Sequence, residues 1–207
     1  MNLNIPQIKK ERDYTLEKLN VSRETIKKLD IYVNYLISFQ EHTNLISNSS
    51  LSSIWKRHIL DSSQIINYFP NKMLKILDVG TGAGFPGIIL SILTDNEIIL
   101  IDSSKKKCKF LSNVINLVGL NAKVVCRRVE DLEHYKADII TARAVSSIEK
   151  LLKYTKQQIH SKSVCYFFKG ENYIKELKYL ERSQNLTYEL IPSITNNNST
   201  IIKVYKN

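Results

Sequence analysis

The stretch Asp78-Val-Gly-Thr-Gly-Ala-Gly-Phe-Pro-Gly87 constrains this chain more than any other. The apolar run Met73-Leu-Lys-Ile-Leu77 before it predicts a short buried strand. Glycines at 80, 82, 84 and 87 then let the backbone turn tightly and approach a ligand closely. Pro86 suits the first turn of a helix that starts near Phe85. Strand, glycine loop and helix in succession build the nucleotide-type cofactor sites of α/β folds. A purely structural glycine turn is the plainer alternative.

The ligand class follows from the carboxylates around the loop. Gly82-x-Gly84-x-x-Gly87 satisfies the dinucleotide fingerprint, but that pattern is unspecific. Asp78, at the strand end, would repel a pyrophosphate. It suits a ligand carrying a sulfonium and an ammonium, such as S-adenosylmethionine. The pattern acidic-x-Gly-x-Gly-x-Gly resembles motif I of class I methyltransferases. A second strand, Ile98 to Ile101, ends at Asp102, about 20 residues past the loop, where a carboxylate can take ribose hydroxyls. That spacing serves NAD and S-adenosylmethionine equally. Asp102 also fits a helix N-cap ahead of Ser103 and Ser104.

Beyond the loop, apolar runs and helical patterns alternate. Strands are expected near 74–79, 97–102, 123–126, 137–142, 163–168, 186–191 and 200–205. Helices are expected near 87–94, 105–118, 146–159 and 170–182. Alternation of this kind implies a Rossmann-like α/β fold with a seven-stranded, mostly parallel sheet. The last two strands, joined through Pro192 to Ser199, read as an antiparallel C-terminal hairpin. Residues 1–70 read as an N-terminal helical extension and 71–207 as the cofactor-binding core. In the extension, Ile26, Leu29, Val33, Leu36 and Ile37 recur at helical spacing behind Ser22, a candidate N-cap. A loop from His42 to Ser50 precedes a second helix from about Leu51 to Asn67, ended by Pro70.

Composition sets the surroundings. No apolar run is long enough for a transmembrane helix, and the N-terminus lacks the apolar stretch of a signal peptide. Three cysteines without a C-x-x-C pair favour a reducing, cytoplasmic setting. The net charge of +10 favours a polyanionic partner. Most of the excess lies after residue 70, densest at Lys105, Lys106, Lys107 and Lys109. A solvated helix face accounts for those lysines equally well.

Absent motifs narrow the methyl acceptor. No cysteine follows a proline, so the nucleophile that pyrimidine C5 methylation needs is missing. No Pro-Pro-aromatic loop of the amine methyltransferases follows the fourth strand, where Thr141-Ala-Arg-Ala144 stands instead. Ring N7 of guanine carries a lone pair and loses no proton on attack. Its methylation requires orientation rather than a general base.

Taken together, Asn44-Leu45, Arg57-His-Ile-Leu-Asp-Ser62, Asp78 to Gly87, Asp102-Ser103, Lys106, Phe110-Leu111, Arg128-Val-Glu130, Asp138, Arg143-Ala144 and Lys169-Gly170 resemble one family. It is the bacterial 16S rRNA guanine-N7 methyltransferases, or glucose-inhibited division protein B family. The resemblance implies S-adenosylmethionine as cofactor, with contacts at Gly80, Phe85, Val129, Glu130 and Arg143. Asp78, Gly82, Gly84 and Asp102 join them from the loop chemistry. It also implies a 16S rRNA or 30S subunit partner, met by Lys106, Arg128, Arg143 and Lys169. No metal or membrane is implied, and a monomer is expected.

Structural alternatives stand beside several of these. Glu130 suits a helix start. Arg143 could pair with Asp138 or Glu149. Lys169 could be a solvated loop lysine. His58 and Asp61 share a helix face and are expected to tie the N-terminal helices to the core by hydrogen bonds. The chain departs from the family at Ile46, where Thr is common, and at Asn198-Ser199-Thr200, where an Arg is common. Two other readings remain: a methyltransferase for another RNA atom or a small molecule, and a basic RNA-binding protein without activity.

Overall fold

A computed structural model describes residues 4–40 and 43–207; His42, where the expected loop begins, lies outside them. Asn4 accepts the Gln7 amide at 3.2 Å and opens α1 (Ile5–Leu19). Ser22 accepts the Thr25 amide at 3.1 Å ahead of α2 (Arg23–Gln40). Leu29, Tyr32, Val33 and Leu36 form the buried stripe of α2, spaced as a helix requires.

The single helix expected from Leu51 to Asn67 is instead a broken run. It comprises α3 (Asn48–Leu51), a π-helical turn over Trp55–Leu60, α4 (Asp61–Ser63) and a 3-10 turn over Gln64–Tyr68. The wider turn lets Trp55, Ile59 and Leu60 all reach the core while Arg57 stays exposed. Such π turns gather at functional sites.

Seven strands follow: β1 (Lys75–Val79), β2 (Glu97–Asp102), β3 (Ala122–Cys126), β4 (Ala137–Arg143), β5 (Ile159–Lys169), β6 (Leu186–Pro192) and β7 (Thr200–Lys206). They form one sheet in the order β3-β2-β1-β4-β5-β7-β6. The strands from β1 to β5 run parallel, and β7 is antiparallel to both neighbours. The helices between them are α5 (Gly87–Leu93), α6 (Lys105–Val118), α7 (Ile148–Thr155) and α8 (Tyr173–Glu181). These elements match the sequence expectation closely except at three places. α8 begins at Tyr173 rather than 170. β5 begins at Ile159 rather than 163, and α7 is cut short at both ends.

Alternate strand residues serve opposite faces. Ile76, Ile98, Leu100 and Ile139 pack with α2, α5 and α6 in one cluster. Leu77, Ile99, Ile101 and Ile140 pack with α7 and α8 in the other. Parallel strands covered on both sides are apolar at nearly every position, as here. Strand order reverses between β1 and β4, so a crevice opens beyond their C-terminal ends. The N-terminal helices share the first cluster, so their packing is continuous with the sheet.

Candidate active site

The glycine loop leaves β1 and is braced from beneath. Gly80 and Thr81 donate their amides to the Ile101 carbonyl at 2.8 and 3.2 Å. Gly80 takes φ +62, and a Cβ there would stand 2.6 Å from Val145 Cγ2. Only glycine satisfies both conditions. Tyr32, fully buried on α2, donates its hydroxyl to the Ala83 carbonyl at 2.8 Å and meets Phe85 edge to face.

Asp78 is placed differently from the sequence expectation of a carboxylate facing the ligand. It is fully buried beneath the loop. Its Oδ2 accepts the Gly87 amide at 3.0 Å and its Oδ1 accepts the Thr141 hydroxyl at 2.7 Å. Thr141 is its direct neighbour across the β1–β4 pairing. Burial raises the carboxyl to about 6, against the pull of those hydrogen bonds. Asp78 therefore supports the loop's shape from below.

A crevice of about 280 Å³ opens over the ends of β1, β2 and β3, walled by Gly80, Asp102, Ser103, Val129, Glu130 and Val145. Asp102 does not cap α6; Ser104 does, accepting the Lys107 amide at 3.5 Å. Asp102 spans two turns instead. Oδ2 accepts the Gly82 amide at 3.0 Å and Oδ1 the Ser104 amide at 2.8 Å. Each oxygen keeps a further lone pair for a ligand hydroxyl. Val129 is buried and Glu130 exposed at the start of a 3-10 turn after β3.

A second cavity, about 340 Å³, lies across Gly80 from the first, lined by Ser47, Arg57, His58, Phe85 and Arg143. Ile46, the departure from the family pattern, is also in its wall. Gly80 and Ala144 border both spaces. Arg143 ends β4 and pairs with Asp61, Nη2 to Oδ2 at 3.2 Å, rather than with Asp138 or Glu149. The same nitrogen donates to the Arg57 carbonyl at 2.5 Å. Its Nη1 is buried without a hydrogen-bond partner among the described residues. Asp61 also accepts from Ser193 Oγ at 2.9 Å and Thr195 Oγ1 at 2.8 Å, which sit on the β6–β7 connection.

His58 does not share that linking role. Its ring stacks on Phe85 at 4.6 Å, and neither nitrogen has a hydrogen-bond partner among the described residues. Burial, with Arg143 and Arg57 adding to it, lowers the imidazole to about 3. It is therefore neutral across the physiological range.

A third cavity, about 470 Å³, continues past Arg143 towards β5, bounded by Phe168, Lys169, Glu176, Ser199 and Thr200. Lys169, expected to reach towards RNA, is committed inward. Its amine donates to the Ser146 carbonyl at 2.5 Å and to Glu176 Oε2 at 2.8 Å. Lys105, Lys106 and Lys109 are exposed at the start of α6, and Arg127 and Arg128 are exposed in the crevice wall. Thr141, Val145, Ser146 and Glu176 were not legible as site residues, because each acts through a partner far away in sequence.

Among the described residues no group of three or more His, Cys, Asp or Glu side chains is arranged to hold a metal ion, and no helix is long and apolar enough to cross a membrane.

Sheet order, the glycine loop at the switch point and the paired carboxylates at the ends of β1 and β2 define a class I S-adenosylmethionine-dependent methyltransferase. Solved structures share this fold. A putative S-adenosyl-L-methionine-dependent methyltransferase of Methanococcus maripaludis aligns with TM-score 0.62 at 17% identity, covering 84% of this chain and 92% of that one. The ribosomal protein L11 methylase of Lactobacillus delbrueckii subsp. bulgaricus aligns with TM-score 0.59 at 17% identity, covering 72% and 77%.

The family model for rRNA small subunit methyltransferase G matches residues 25–201. Ribosomal RNA small subunit methyltransferase G of Cereibacter sphaeroides is 34% identical over 198 residues, covering 93% of this chain and 96% of the relative. That of Orientia tsutsugamushi is 36% identical over 192 residues, with the same coverage. The chain belongs to this family, and its methyl donor is S-adenosylmethionine.

Proposed function

We propose that this chain transfers a methyl group from S-adenosylmethionine to N7 of a guanine in small-subunit rRNA. The observation that carries the reading is the meeting of two spaces at Gly80 and Ala144. One suits an adenosine, and the other offers room for an acceptor base.

When bound, S-adenosylmethionine supplies an electrophilic methyl group on a sulfonium. Asp102 and Glu130 take the ribose and adenine side of the crevice, with Val129 as its apolar floor. The glycine loop, at Gly80, Gly82 and Gly84, lets the methionine part pass close to the backbone. Asp78 holds that loop from below, and Phe85 braces it from the second cavity. Arg143, fixed by Asp61 and the Arg57 carbonyl, directs its free Nη1 towards a carboxylate or phosphate.

Guanine N7 has no proton to give up, so the acceptor side needs no base. The neutral His58 suits that requirement. Lys106 and Arg128, exposed beside the crevice, meet RNA phosphates. Residues 1–70 form the extension, from which Ser47, Arg57 and His58 wall the acceptor side, on a core of 71–207. Free thiols at Cys108, Cys126 and Cys165 fit a cytoplasmic setting.

Incubation of 30S subunits and of naked 16S rRNA with labelled S-adenosylmethionine, followed by mass-spectrometric mapping, tests the reading. N7-methylguanine at one position is expected. Methyl transfer to another atom, or none beside an active control enzyme, would sink it.

A further inference from the structure

The segment from Ala144 to Ser147 borders every part of the site. Ala144 lines all three cavities, and Val145 lines the crevice and the third cavity. Ala144 takes φ +54, a left-handed conformation that costs a residue with a Cβ and persists where surroundings impose it. Val145 is 41% exposed, yet its methyl groups fill the place where a Cβ on Gly80 would stand. No feature of Val145 itself holds it there.

The restraint comes from further along the segment. Lys169, whose side chain is only 10% exposed, ends β5 and donates its amine to the Ser146 carbonyl. Glu176 on α8 accepts from that amine at 2.8 Å and from the Ile148 amide at 2.7 Å through the same Oε2. Ser147 caps α7 by accepting the Lys150 amide at 3.5 Å. The near end is fixed as well, since Arg143 is bound to Asp61 and to the Arg57 carbonyl. The segment is thus clamped at both ends, and its middle stands over Gly80.

We propose that Lys169 and Glu176 are positioning residues for methyl transfer: through Ser146 and Ile148 they set the height of Val145 over Gly80, and with it the shape of the crevice beneath. This rests on the reading that the crevice holds S-adenosylmethionine. It removes Lys169 from the RNA-facing cations. The amine is spent on a carbonyl and a carboxylate, so it has no free charge to release a counterion from RNA.

Titration calorimetry with S-adenosylmethionine, and rRNA binding across a salt series, separate the alternatives. Lys169→Met is expected to weaken cofactor affinity about tenfold, the scale of coupling between groups in contact. Glu176→Gln is expected to weaken it less, because an amide oxygen can still accept from Ile148. The salt slope of RNA binding is expected to stay unchanged in both. In a double-variant cycle, Val145→Ala with Lys169→Met should weaken affinity by less than the product of the single effects.

Unchanged cofactor affinity in folded Lys169→Met, or a lowered melting temperature alone, would overturn the proposal. A salt slope reduced by about one would overturn it as well, since that is the signature of a lost phosphate contact. If Lys169→Met does not fold, the cycle of Glu176→Gln with Val145→Ala decides, and strict multiplicativity there counts against the clamp. Failure of the unaltered chain to bind the cofactor would instead defeat the reading of the crevice.

Discussion

Gly87 has no room for a side chain, whereas Gly170 stands in open space. A Cβ at Gly87 would lie 2.2 Å from Leu100 Cδ2 and 2.6 Å from Asp78 Oδ2; nothing stands within 4 Å of one at Gly170. Gly87→Ala is expected to cost about 2 kcal/mol, as overpacking ordinarily does, and Gly170→Ala close to nothing. Urea denaturation of the two variants checks the contrast. Asp78 gives a pH-dependent counterpart. Its carboxyl is raised from 3.8 to about 6 in the folded chain, so the folded state holds that proton more tightly than the unfolded one. Stability from this group is full at low pH, falls as pH rises from 3.8 through about 6, and then levels off, a loss of roughly 3 kcal/mol. Asp78→Asn does not titrate, so the unaltered chain should lose ground against it over that window. A stability difference that is flat with pH would contradict the raised carboxyl. The glycines and Asp78 were legible because tight turns restrict residue type. The direction of Asp78 was not, because Thr141, 63 residues away, supplies the partner.

Element boundaries were clearest where both faces of a strand are covered. β2 and α6 match their expected ranges because Ile98 to Ile101, and the caps Ser104 and Gly119, leave little alternative. β5 starts earlier than its apolar run because His160, Ser161 and Lys162 are polar and interrupt the pattern. The π turn at Trp55–Leu60 hid which residue ties the N-terminal helices to the core: of His58 and Asp61 only Asp61 does so, and its pairing with Arg143 was not legible. That carboxylate joins the π turn, β4 and the β6–β7 connection. Asp61→Asn is therefore expected to cost about 2 kcal/mol, since it leaves a largely buried guanidinium without its counter-charge. Cofactor affinity should fall with it. Thermal unfolding and calorimetric titration check both effects, and an unchanged melting temperature would show that the ion pair contributes nothing.

At the scale of the whole molecule, the +10 charge is unevenly exposed. Lys169 and Arg143 are internally paired, while Lys105, Lys106, Lys109 and Arg128 face solvent near the crevice. Removing Lys106 and Arg128 together by alanine substitution should reduce the slope of log affinity for rRNA against log salt by about two. Filter binding over a salt series would reveal the change; an unaltered slope would place the RNA on another face. Net charge told of a polyanion, but only burial tells which cations remain free to meet it.

The contacts of Asp61 have a consequence for how the chain is made. Its partners Ser193 and Thr195 lie 132 and 134 residues further along the chain, and Arg143 lies between. During synthesis, the helices, the glycine loop and the parallel strands all emerge before those two hydroxyls do. The two hydroxyl contacts to Asp61 close only after the β6–β7 connection has left the ribosome.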